Sequence, residues 1–283
     1  MTINVNAVSQ KKITASVLFF ILFTIAAAGC AKQNQTSAYA EAAAALAKGK
    51  TGKAVEIASK NAAQKPEFAE IFRLAAVKTL RELFVSGSDK LREQIVLTAI
   101  ELKDDALAEE LKSAEAQIGK KGYYQQAYEA REYGKIFNDR EPSEKGSGFD
   151  FLLRALPISP APMISPEPSE IISLNRLYDK ALASGIPSNL LEDFLKSSPL
   201  NLRFALAKKL ADEPDERFYE WASVLSRDKN DNVAKKAVSA FAFYSYPRSF
   251  AGLGAVAADS TLDGGRRAYA SAAILILLKK NAQ

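Results

Sequence analysis

Any chemistry in this 283-residue chain must be built without histidine and with a single thiol, Cys30. The lack of histidine removes the commonest general base and metal ligand, and with them Ser–His and Cys–His nucleophile pairs. One cysteine and no histidine cannot assemble an ordinary zinc site, and a lone cysteine forbids an internal disulfide. The fourteen glycines are scattered and form no phosphate-cradling loop. Carboxylate chemistry remains open, because glycan hydrolysis needs only two acids at the right separation. Asp104-Asp105 and Glu109-Glu110 are adjacent acids on helical stretches, where neighbouring side chains point in different directions, so solvated helix faces are the stronger reading. Neither a catalytic residue nor a cofactor is expected.

Cys30 ends the sharpest pattern in the chain. Lys11-Lys12 precede Ile13 to Ala28, a run without charge, which shrinks to small side chains before Gly29-Cys30. A positive start, an apolar core and a small-residue end make a secretory leader, and the core is shorter than the roughly 18–20 residues of a spanning helix. Ala27-Ala28-Gly29-Cys30 resembles the lipobox of bacterial lipoproteins. That resemblance implies cleavage before Cys30, diacylglycerol on its sulfur, often a further acyl chain such as palmitate on the new amino group, and, with Ala31 next, an outer-membrane address facing the periplasm or the cell exterior. Two or three acyl chains hold a protein on a bilayer where one does not. Removing residues 1–29 takes two lysines and no acids, so the net charge falls from +5 to +3. So small a surplus is no nucleic-acid footprint.

Stepping along the mature chain, alanine-rich helical periodicity dominates and no strand alternation emerges, so the expected class is all-α. Helices are expected near 37–48, 52–64, 67–85, 89–102, 104–118 and 123–138, then 169–184, 188–197, 199–211, 215–226, 230–244, 248–258 and 265–280. Six of the eleven prolines fall between Pro142 and Pro168, which breaks any helix there. The expected organisation is therefore a leader over 1–29, a helical region over 30–138, a proline-rich linker over 139–168 and a second helical region over 169–283. Phe149, Phe151, Leu152, Leu153 and Leu156 give the linker an apolar stretch, with room for one short helix that docks on a neighbour. Pro199 and Pro214 suit first-turn positions, with Ser198 as the cap of the former.

A period of thirty-one residues runs through the second region. Leu202, Leu206 and Leu210 are followed at that offset by Val233, Ala237 and Phe241, and then by Gly264, Ala268 and Ala272. Phe194, Leu225 and Val256 keep the same register in the preceding helices, as do Ser197, Asp228 and Asp259 in the turns. Spacings of four put each trio on one helix face, so the unit is a helix pair. The segments Leu225–Phe241 and Asp259–Ala272 resemble HEAT repeats, Asp89–Ala99 is similar, and Gly52 to Pro66 resembles part of a tetratricopeptide unit. These resemblances imply an α-solenoid of stacked antiparallel helix pairs whose usual role is protein–protein contact.

Three features bear on partners. Lys235-Lys236 and Arg266-Arg267 recur at the repeat offset, as a basic stripe for an acidic partner or, the favoured reading, as a ladder pairing with Asp228 and Asp259. Tyr124 with Tyr128, Tyr133 with Phe137, and Phe241, Phe243, Tyr244, Tyr246 and Phe250 around Pro247 are aromatic groups that helical spacing assigns chiefly to core. Ala268 to Leu278 is apolar almost all round. It either tucks inside the molecule or presents Ile274 and Leu278 to a partner. The sequence thus points to a lipid-anchored envelope scaffold that binds another protein, with a carboxylate enzyme acting on peptidoglycan or glycan as the alternative.

Overall fold

The computed structural model describes residues 33–61, 67–137 and 167–281. The leader, Cys30 and the proline-rich stretch up to 166 lie outside the described residues. Thirteen α-helices and no strand occur among those described: α1 Gln33–Ala47, α2 Thr51–Asn61, α3 Phe68–Ser86, α4 Asp89–Leu102, α5 Asp105–Ala114, α6 Tyr123–Phe137, α7 Pro168–Ala183, α8 Ser188–Ser197, α9 Leu200–Asp212, α10 Tyr219–Leu225, α11 Asp231–Ala240, α12 Arg248–Ala258 and α13 Gly264–Asn281. The all-α expectation holds. No described helix is long and apolar enough to cross a membrane.

Three expected helices are shorter than their periodicity suggests. Residues 104–118 give α5 and then a 3-10 turn at Glu115–Ile118, because the buried Glu115 carboxylate accepts hydrogen bonds from the backbone N–H of Gly122 and Tyr124, each at 2.7 Å, and draws the chain round to start α6. Residues 215–226 open as a 3-10 turn, with Asp215 accepting from the Arg217 N–H, before α10 begins. Residues 230–244 end α11 at Ala240, followed by a 3-10 turn at Phe241–Phe243. That turn seats the Phe241 ring where Gly252 of α12 has no Cβ: an added Cβ would stand 2.5 Å from the ring. Ser198 does not cap α9 through its side chain; its N–H instead closes α8 on the Phe194 carbonyl, and Pro199 holds the N-cap position of α9.

The helices pack in two rows. In one row α7 lies on α9, α9 on α11, α11 on α13, α13 on α4 and α4 on α6. The other is interrupted between α10 and α12: α8 touches α10, and separately α12 packs on α3 and α3 on α5. The α1–α2 hairpin lies against α3 and α12. The two helical regions therefore meet through α12 and α13, the last pair in sequence, which lie on α3 and α4. One hydrophobic cluster runs through both regions. The thirty-one-residue stripe faces this core: Leu206, Leu210, Val233, Ala237, Phe241, Ala268 and Ala272 are buried. Gly264, also on the stripe, lets α13 start against α4 and α3: a Cβ there would meet Leu91 at 2.8 Å and Leu83 at 3.2 Å.

Candidate functional site

The basic pairs prove to be structural fasteners within the chain. Lys235 reaches Asp231 at 2.7 Å and Lys236 reaches Asp212 at 3.3 Å. Arg266 is buried and contacts Asp263 at 3.2 Å and Asp231 at 3.4 Å. Arg267 donates from Nε to the Ala257 carbonyl at 3.1 Å. The turn acids expected as their partners are taken by other arginines. Asp228, in the α10–α11 turn with its side chain only 7% exposed, receives Arg203 of α9 at 2.8 Å through Nε and at 3.4 Å through Nη2, while Asp259 lies 3.5 Å from Arg227. The reason is register. Arg203 stands beside the turn of the following pair, whereas Lys235 and Arg266 lie past their own turns and meet the acids that open or close helices.

A second arginine role was not read from the sequence. Arg92, Arg203 and Arg267 each occupy the fourth position of the later helix in a pair, namely α4, α9 and α13. Each folds back on the end of the preceding helix. Arg92 donates to the Phe84 and Val85 carbonyls at 2.9 and 3.0 Å, Arg203 to Ser198 at 3.0 Å, and Arg267 to Ala257 at 3.1 Å. The final carbonyls of a helix lack intrahelical partners and carry the negative end of the dipole, so a guanidinium there satisfies both needs. The signal was available as an arginine four residues into α4, α9 and α13, but only once the helix starts are known, and α11, whose fourth residue is Ala234, lacks it.

Ile274 and Leu278 are not an exposed patch. Ile274, Leu275, Ile276 and Leu277 are buried and Leu278 is partly buried, because α13 is enclosed by α3, α4, α11 and α12. Helix α13 is a central strut, which is why it is apolar on nearly every side. Among the aromatics, Tyr124, Phe241, Tyr244 and Phe250 are buried and Phe243 packs on the core, while Tyr128 and Tyr246 are exposed. The side chains of Tyr133 and Phe137 lie outside the described residues.

Two grooves stand out among the described residues. One, of about 530 Å³, lies between α2 and α12 and is lined by Val55, Ser59, Ala251, Ala255 and Ala258 among others. The other, of about 640 Å³, lies between α3, the α4–α5 turn and the end of α13, with Glu70, Arg73, Asp104, Asp105 and Lys279 in its wall. Within it, Arg73 bridges Glu70 at 3.3 Å and Asp104 at 3.6 Å. Asp104 also caps α5 by accepting from the Leu107 N–H at 2.9 Å. Glu109 pairs with Lys112 at 3.0 Å and Glu110 with Arg81 at 3.1 Å. Asp104, Glu109 and Glu110 are thus committed to a cap or to cations, while Asp105 is exposed in the first turn of α5. Asp212 shows the same economy: burial pushes its carboxyl up, but hydrogen bonds and charge from Lys208 and Lys236 outweigh that and hold it below the usual carboxylate range. Among the described residues no cluster of three histidine, cysteine or acidic side chains could hold a metal ion.

What the fold defines at this level is an all-α protein in which arginines and acids fasten packed helix pairs. Comparison with protein families, with curated proteins and with solved structures finds no match.

Proposed function

We propose that the chain is a lipid-anchored scaffold of the bacterial envelope: an α-solenoid of helix pairs that presents one side of its stack to another envelope protein and turns over no substrate. The observation that carries this reading is the recurrence of one fastening position, Arg92, Arg203 and Arg267, in three separate helix pairs. A recurring internal device is what stacked repeats need, since a single helix pair cannot bury its apolar face and gains stability from its neighbours. The row from α7 through α9, α11 and α13 to α4 supports the same arrangement. The commitment of Asp104, Glu109 and Glu110 to a cap or ion pairs favours a binding role over carboxylate catalysis. Cys30, with the small-residue run before it, supplies the anchor, and Ala31 after it the outer-membrane address.

The test is made in bacterial cells. A clickable fatty acid should label the chain, and Cys30→Ser should abolish both label and membrane retention. Photo-crosslinkers placed at exposed Tyr128 and Val224 should give a discrete protein adduct. A chain that keeps its leader and carries no fatty acid, or one that yields only lipid adducts, overturns the proposal.

A further inference from the structure

The groove between α3, the α4–α5 turn and the end of α13 holds two charges that the fold leaves unused. Its wall carries three cations, Arg73, Lys103 and Lys279, and three acids, Glu70, Asp104 and Asp105. Four of the six are engaged: Arg73 bridges Glu70 and Asp104, and Lys279 donates to the Leu102 carbonyl. Lys103 and Asp105 are exposed and make no ion pair or side-chain hydrogen bond among the described residues. Leu275 and Leu278 line the same groove and give it an apolar patch.

Lys103 stands where its backbone is unfavourable. It is the C-cap of α4, with φ 50° and ψ 45° in the left-handed region, where a Cβ crowds the chain and glycine is the usual residue. Gly49, Gly119 and Gly122 fill left-handed positions elsewhere in the N-terminal helices. The turn itself uses no side chain at 103: the Lys103 N–H bonds to the Ala99 and Ile100 carbonyls, and Asp104 caps α5. What lysine adds over glycine is an ammonium at the groove. With three charges of each sign the wall has no net charge, so a ligand of one sign meets repulsion as well as attraction. A ligand carrying both signs is complementary to it. Lys103 and Asp105 do not pair with each other, so the ligand's own charges must stand apart, as at the two ends of a peptide. The volume of about 640 Å³ lies within the range of small-molecule sites. We propose that this groove binds a zwitterionic peptide of two or three residues, its carboxylate on Lys103, its ammonium on Asp105 and an apolar side chain on Leu275 and Leu278. The site needs neither the Cys30 anchor nor a protein partner, so it stands or falls apart from the scaffold reading.

NMR titration of the isotope-labelled full chain with the dipeptide alanyl-leucine tests this. Saturable shifts should appear at Lys103, Asp105 and Leu278. Acetylating the peptide's amine or amidating its carboxyl should each weaken binding by about fivefold, the upper end for an exposed charge contact. Lys103→Gly should weaken it by a similar factor and leave the melting temperature equal or higher, because glycine relieves the left-handed backbone. Asp105→Asn should weaken binding too, and should remove the difference between the free and acetylated peptides. Shifts that stay linear with peptide concentration, equal binding of the capped peptides, or undiminished binding to Lys103→Gly would each overturn the proposal. So would a lower melting temperature for Lys103→Gly, which would assign that lysine to the fold.

Discussion

Lys279, in the last turns of α13, holds its ammonium 2.6 Å from the carbonyl oxygen of Leu102 at the end of α4, a hydrogen bond that spans 177 residues of sequence. It marks the seam where the end of the chain closes on its first half. The same helix buries Ile274 and Leu275 among α3, α4 and α12, so neither helical region has its full core without the other.

The first prediction follows from that seam. Unfolding should be one cooperative event, with core amides of α3 and α13 exchanging at free energies within about 1 kcal/mol of each other. A chain ended before Gly264 should lose the sharp melting transition of its N-terminal helices as well as its C-terminal ones. Two resolved calorimetric transitions in the intact chain would show instead that the regions fold independently.

The second concerns Arg203 and Asp228, whose side chains are 10% and 7% exposed. Asp228 also accepts the Asn230 N–H at 2.8 Å, fixing the turn into α11. Asp228→Ala strands a buried guanidinium and should lower stability by about 3–5 kcal/mol. Arg203→Met added to it should recover much of the loss, because the stranded charge goes with it. Denaturant titration of the two single variants and the double variant measures this directly, and additive losses would mean the two side chains act separately. Lys196→Ala, at an exposed pair with Asp193, should change stability by under about 1 kcal/mol.

The contrast between these residues shows what the sequence could reveal. Leu206, Ala237 and Ala268 were legible as core because burial on one helix face imposes a short period, and the helix-pair unit repeats it. The partner of Asp228 was not legible, since it depends on which helix flanks the turn in space. Nor was the fate of α13: an apolar helix can face a partner or its own molecule, and only the packing of Gly264 against Leu91 and Leu83 decides. The early end of α11 escaped for a similar reason. Its periodicity continues past Ala240, and the turn at Phe241 is dictated by a glycine eleven residues further on.

The third prediction uses two glycines of opposite sign. Alanine is intrinsically better than glycine in a helix by up to about 1 kcal/mol. Gly52 in α2 has no heavy atom within 4 Å of where its Cβ would stand, so Gly52→Ala should be neutral or stabilising by that order. Gly252 in α12 faces the Phe241 ring at 2.5 Å, so Gly252→Ala should destabilise by about 1–3 kcal/mol through overpacking. Melting temperatures that rise for both would show that Phe241 yields without cost.

The fourth concerns alkaline pH. Burial is the largest cause, with nearby acids adding to it, that pushes the phenols of Tyr178 and Tyr244 well above the ordinary tyrosine range. Neither hydroxyl has a hydrogen-bond partner in the structure. The folded chain therefore keeps both protons at pH values where the unfolded chain has released them. The unfolded state is thereby favoured progressively as pH rises above about 10, the unperturbed tyrosine value. Stability should be full below that pH and fall steadily above it. Tyrosinate absorbance should show late-titrating phenols whose ionisation coincides with unfolding. Tyr178→Phe and Tyr244→Phe should each be neutral or stabilising at pH 7, since each removes a buried hydroxyl that makes no hydrogen bond, and together they should flatten the alkaline decline. A double variant with the wild-type decline, or one destabilised by several kcal/mol at pH 7, would mean that these hydroxyls are satisfied by bound water and are part of the fold.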